Sequence, residues 1–75
     1  MFHKGDIVKF VDRGNPTEPW FSERMKYIED RELFIVIKST INETQVLTSE
    51  DITLTLFSWR FILVAKKTKF GYMVI

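Results

Sequence analysis

The chain has 75 residues, no cysteine and a formal net charge of +1. Such a length allows one domain with one core, which typically leaves only about 3–5 kcal/mol of net stability unless something reinforces it. The absent cysteines exclude a disulfide framework and a thiolate metal site, the 45% hydrophobic and 15% aromatic content excludes disorder, and the near-neutral balance excludes a global field that draws in nucleic acid.

Apolar surface must therefore stabilise the fold, inside the chain or against a partner. A reducing compartment fits the lack of cysteine. The opening MFHKGDIVKF has no charged segment leading into a long apolar stretch, unlike a signal peptide. The runs Leu33 to Ile37 and Phe61 to Ala65 are far shorter than the roughly 20 residues that span a bilayer. We expect a complete cytoplasmic protein beginning at Met1, with no membrane partner. Asn42-Glu43-Thr44 matches a glycosylation sequon, which in such a chain reads as a polar hairpin turn.

In chain order, Gly5-Asp6 opens a first strand, Ile7 to Val11, with Val8 and Phe10 on one face and Ile7, Lys9 and Val11 on the other. Asp12-Arg13-Gly14-Asn15-Pro16 is a turn cluster and Pro19 extends it, so the first connection is long; it carries Trp20 and Phe21. Residues 22–32 read either as a short helix capped by Ser22, with Phe21, Met25 and Ile28 on one face, or as a loop leading into an irregular strand. Leu33 to Ile41 is dense in β-branched residues, and its first half is apolar on both faces, as in a central strand. Asn42-Glu43 turns the chain and Thr44 to Thr48 returns as a hairpin partner. After Ser49-Glu50-Asp51, Ile52 to Phe57 alternates strictly: Ile52, Leu54 and Leu56 against Thr53, Thr55 and Phe57. Ser58-Trp59-Arg60 reads as a tight helical turn, with Trp59 plugging or covering the fold and the Arg60 guanidinium in water. Phe61 to Val64 is then a closing strand. These elements predict a mainly β fold, a small barrel of five or six strands.

The opening KGDIVKF, the long loop, the strand-turn-strand centre and the ending WRFILV together resemble the small SH3-like barrel domains of short phage-encoded and bacterial proteins. The resemblance covers Phe2 to Ala65. It implies an SH3-like barrel and, for a phage accessory protein, a host-protein partner in the host cytoplasm. The stretch Trp20 to Glu32 departs from a plain barrel loop. The tail Lys66 to Ile75 lies beyond the family's usual end, as an extra strand or tail. The family includes nucleic-acid-binding, peptide-binding and structural members, so the likeness chooses no ligand.

The residues suggest no catalytic site, metal site or cofactor. His3, the single histidine, has no nucleophile suggested beside it. The three glycines stand apart, at positions 5, 14 and 71, so there is no phosphate-binding loop. Glu29-Asp30-Arg31-Glu32 reads as a solvated turn or an acidic patch. Trp20 and Phe21 either fold back on the core or anchor a partner. Residues 1–51 hold seven Lys/Arg and ten Asp/Glu, whereas residues 52–75 hold Arg60, Lys66, Lys67 and Lys69 with no acid. Lys66, Lys67 and Lys69 alternate with Phe70 and Tyr72, the combination that single-stranded nucleic acid uses, or the lysines of an ordinary edge strand. Apolar residues on both faces of several strands (Ile7, Val11, Phe34, Val36, Phe57, Ile62, Val64) leave a patch outside a single interior.

The expectation is a non-enzymatic binding module that engages another protein through Trp20, Phe21, Trp59 and Arg60. The alternatives are a nucleic-acid binder using Arg60, Lys66, Lys67, Lys69, Phe70 and Tyr72, and a structural homo-oligomer, a homodimer included.

Overall fold

Ile7–Phe10 forms β1, and the GD pair before it explains how the strand begins. Gly5 has φ +92, a backbone that disfavours any Cβ. The Asp6 side chain is buried, and its two oxygens accept the amides of His3 (2.9 Å) and Lys67 (3.0 Å). The backbone of Gly5 and Asp6 also bonds Val36 on both sides, at 2.8 and 2.9 Å. The turn is thus tied to two other strands before β1 starts.

The remaining strands are β2 (Phe34–Ser39), β3 (Glu43–Leu47), β4 (Thr53–Phe57), β5 (Phe61–Thr68) and β6 (Gly71–Val74), with a 3-10 turn at Ser58–Arg60 between β4 and β5. They form one antiparallel sheet in the order β4-β3-β2-β1-β5-β6. This computed structural model describes residues 1–12, 14, 15, 17–19, 21, 25, 28, 29 and 31–75. Among the described residues no helix is long and apolar enough to cross a membrane.

The mainly β reading holds, and β2 is central, between β1 and β3. Most strand ends lie within one residue of expectation, and two differ by more. β2 stops at Ser39 because the Thr40 hydroxyl accepts the amides of Asn42 and Glu43, which folds a turn and leaves Ile41 exposed at its tip. The closing strand runs past Val64 to Thr68, and the tail forms β6 through a two-residue turn at Lys69-Phe70. The Thr68 hydroxyl accepts the Phe70 amide and donates to the Gly71 carbonyl, closing that turn.

The register decides which face of each strand is inside. Val8 lies opposite Phe34 and Leu63, Phe10 opposite Phe61, and Val36 opposite Val46. All of these but Leu63 form the core with Met25 and Ile28, and Phe2, Phe21, Leu54, Leu56 and Leu63 are partly buried against it. Its centre is three phenylalanines. Phe10 meets Phe34 edge-on at 4.9 Å and stacks on Phe61 at 5.4 Å, and Phe34 meets Phe61 edge-on at 6.1 Å. Phe34 and Val36 are therefore core, not part of an outer patch; Ile35 takes the outer face of β2. The register shifts within β1–β5 and within β2–β3, each consistent with a bulge that bends the sheet about this core.

Met25 and Ile28 are buried and Phe21 is half-buried, so the apolar face read within 21–28 does meet the core. Whether 22–32 is helical falls largely on positions outside the described residues. Glu29 and Arg31 are exposed, and the Glu32 amide donates to the Glu29 carbonyl at 3.0 Å.

Three hydroxyls join β2, β3 and the 3-10 turn. Ser39 Oγ lies 2.8 Å from Thr44 Oγ1, and Thr44 Oγ1 lies 2.7 Å from Ser58 Oγ. Ser58 Oγ donates to the Thr40 carbonyl at 2.9 Å, so Thr44 donates to Ser58, while Ser39 Oγ reaches both Thr44 Oγ1 and, at 3.3 Å, the Thr40 carbonyl. The Phe2 amide donates to Ser39 Oγ at the other end of the chain. Thr44 is fully buried, so this line of donors satisfies a polar group inside the protein.

Candidate protein-binding ledge at the 3-10 turn

The 3-10 turn forms where β4 ends and the chain must enter β5. The Ser58 amide donates to the Asn42 carbonyl at 2.9 Å, and the Phe61 amide closes the turn on the Ser58 carbonyl. At the far side, the Arg60 carbonyl accepts the amides of Val11 and Asp12, which locks the turn to the end of β1. Consecutive side chains in so tight a turn point in different directions.

Trp59 and Arg60 divide the roles differently from the sequence expectation. Trp59 is 60% exposed, whereas Arg60 is only 5% exposed. The guanidinium does not project into water. It lies with Cζ 4.3 Å from the Trp59 ring centroid, and Nη1 is 3.7 Å from Asp12 Oδ1 and 3.4 Å from the Asp12 carbonyl. The reason is local: two acceptors of Asp12, its carbonyl and its carboxylate, sit beside the turn, and the Trp59 ring covers the other face of the cation. Arg60 supports the ledge from beneath and does not present a charge to a partner.

Phe57, the last residue of β4, stacks on Trp59 with ring centroids 6.3 Å apart and planes 11° off parallel. It is half exposed. Beside the two rings an open cleft of about 140 Å³ is lined by Glu43, Thr55, Leu56, Phe57 and Arg60. Glu43 lies directly opposite Phe57 in the β3–β4 register, which puts a carboxylate at the rim. The arrangement offers a flat aromatic shelf, an adjoining hollow and one acidic group.

No family model, curated protein or solved structure matches this chain.

The other expected site residues fall elsewhere. Trp20 lies outside the described residues. Phe21 packs against the core, so its ring serves the fold. Lys66, Lys67 and Lys69 are exposed on the β5–β6 hairpin, where Lys67 Nζ sits 4.9 Å from the Tyr72 ring centroid and Phe70 at the tip is 98% exposed. The turn of that hairpin lies at the far end of the eight-residue β5 from Trp59, which separates Trp59 from the basic-aromatic segment. Buried Arg60 does not join the three lysines. Among the described residues no group of three or more His, Asp or Glu comes together as a metal site. Phe57 was absent from the expected site, yet its signal was present: strict alternation placed it on the outward side of β4 with Thr53 and Thr55.

Proposed function

We propose that this chain is a non-enzymatic protein-binding module whose partner places an apolar side chain on the Phe57–Trp59 ledge. One observation carries the reading: two stacked aromatic rings, each at least half exposed, are held rigid by a buried arginine beside an open cleft. Large aromatics of that kind supply contact area at little entropic cost and are the side chains over-represented at binding hot spots. Glu43 at the rim favours a cation near the partner's anchor.

The SH3-like reading is kept with this proposal. The long β1–β2 connection, the β2-β3-β4 meander and the 3-10 turn leading into β5 support it. A host protein is the partner that this resemblance implies.

Selection of peptides from a random library by the immobilised chain, with nuclease present, tests the ledge. Enrichment that Phe57→Ser and Trp59→Ala both abolish supports it; equal enrichment by the wild-type chain and both variants sinks it.

The β5–β6 hairpin supports a second reading, a single-stranded nucleic acid partner, because it carries three exposed lysines close to the exposed rings of Phe70 and Tyr72. Three phosphate contacts predict that log K falls against log salt with a slope of about −2. A flat salt dependence removes that reading.

A further inference from the structure

Among the described residues the sheet ends in two open edge strands, β4 and β6, which hold no charged residue themselves but are flanked by segments of opposite charge. Residues 41–59, which make β3, β4 and their turns, contain Glu43, Glu50 and Asp51 and no Lys or Arg. Residues 61–75, which make β5 and β6, contain Lys66, Lys67 and Lys69 and no Asp or Glu. β4 and β6 are the end strands of the sheet order.

The backbone of each edge is available at alternate residues. The Thr48 amide bonds the Ile52 carbonyl and the Ser58 amide bonds the Asn42 carbonyl, so by antiparallel alternation Thr53, Thr55 and Phe57 point their amides and carbonyls away from β3. The β5–β6 turn closes at the Thr68–Gly71 pair and the Ile75 amide bonds the Val64 carbonyl, so Tyr72 and Val74 point theirs away from β5. Among the described residues nothing occupies either row.

One apolar line crosses the sheet and reaches both edges. Leu47 is opposite Ile35, Ile35 opposite Ile7, Ile7 opposite Ala65 and Ala65 opposite Val74; Thr53 lies opposite Leu47 at the other end. Directly opposed residues share a face, and this face is the one opposite Val8 and Val36; on it Ile35 and Val74 are exposed, Ile7 and Leu47 half-buried and Ala65 buried.

We propose that a second copy of this chain is the partner of the ledge: β6 of one copy adds antiparallel to β4 of the next, continuing the sheet head to tail. This rests on the ledge reading and names its occupant. Placing Val74 opposite Thr53 of the next copy continues the outer line. The same register pairs Tyr72 with Thr55, so every outward-pointing backbone group on β6 meets one on β4. It also sets Phe70, nearly fully exposed in the single copy, against Phe57 of the ledge. The lysine end of β6 then approaches Glu43. A two-fold β6–β6 or β4–β4 pairing instead sets like charges together, which the observed separation of charge disfavours.

Two edge-blocked variants test this by sedimentation. Proline at an outward-pointing position removes no ladder bond but blocks an added strand. Val74→Pro and Thr55→Pro are each expected to be monomeric, and their equimolar mixture to form a one-to-one dimer that goes no further, while the wild-type chain grows with concentration beyond a dimer. Dimerisation of either variant alone overturns the proposal, as does a wild-type chain that stays monomeric at millimolar concentration. A charge exchange keeps the test valid should a proline disturb folding. Glu43→Lys and Lys69→Glu are each expected to weaken self-association several-fold, and mixing them to restore it; no restoration overturns the proposal. If the chain does not assemble while the ledge still selects peptides, the second-copy inference alone fails.

Discussion

The Asp6 carboxylate accepts the Lys67 amide at 3.0 Å, joining positions 61 residues apart. The same side chain accepts the His3 amide, and it is almost completely buried. Asp6 thus supplies in a side chain the acceptors that the interrupted β1–β5 ladder lacks. Asp6→Ala strands two amide donors, and a loss of about 2–3 kcal/mol is expected in urea unfolding, with Asp6→Asn losing less because its amide oxygen still accepts. Fast hydrogen exchange at the Lys67 amide in Asp6→Ala is the local signature. Unchanged protection there contradicts the role assigned to Asp6.

Trp59 and Arg60 should respond oppositely to truncation. Trp59→Ala is expected to change stability by less than about 1 kcal/mol, since the ring is mostly in water. Arg60→Ala removes a buried stem and a cation held against Asp12 and is expected to cost more than that. Thermal unfolding of the two variants decides it, and the reverse order would return Arg60 to the surface.

The two positive-φ glycines beside strands predict a ranked pair. Gly71 has φ +126 with nothing within 4 Å of an added Cβ, so Gly71→Ala meets backbone strain alone, about 1 kcal/mol or somewhat more. Gly5 has φ +92 and an added Cβ falls 3.2 Å from Lys67 Cγ, so Gly5→Ala carries strain and crowding together. Denaturant midpoints should fall further for Gly5→Ala than for Gly71→Ala.

Thr44 stands in the middle of the hydroxyl line from Ser39 to Ser58. Thr44→Val keeps the shape and removes the hydroxyl, so Ser39 and Ser58 each lose one hydrogen bond while keeping their backbone partners. A loss of about 1–3 kcal/mol is expected in equilibrium unfolding. A variant as stable as wild type would mean that the line contributes nothing.

The phenylalanine centre sets the limit of tolerance. Phe34→Ala typically removes about 3–5 kcal/mol, comparable with all the net stability a chain of this size holds. Circular dichroism should show a chain largely unfolded at room temperature, whereas Phe57→Ala on the outer face should remain folded.

The amino-acid sequence determined what depends on neighbours along the chain. Alternation of apolar and polar residues gave β1 and β4 their faces, because side-chain direction in a strand follows a period of two; β-branched density marked β2 as central, and polar clusters marked the turn at 49–51 and one at Asn42-Glu43 that folds slightly earlier, at 40–42. The turn at Ser58–Arg60 was legible for the same reason. Tertiary structure alone decided what depends on distant partners. Whether Phe34 or Ile35 faced inward required the register with Val8, since both faces of β2 are apolar. The burial of Arg60 required acceptors from Asp12, nearly fifty positions away, and the role of Asp6 required the amide of Lys67. Nor could local pattern foresee that the strand order would set the acidic and lysine-rich segments at opposite edges of one sheet, because charge along a chain has no address until strands pair.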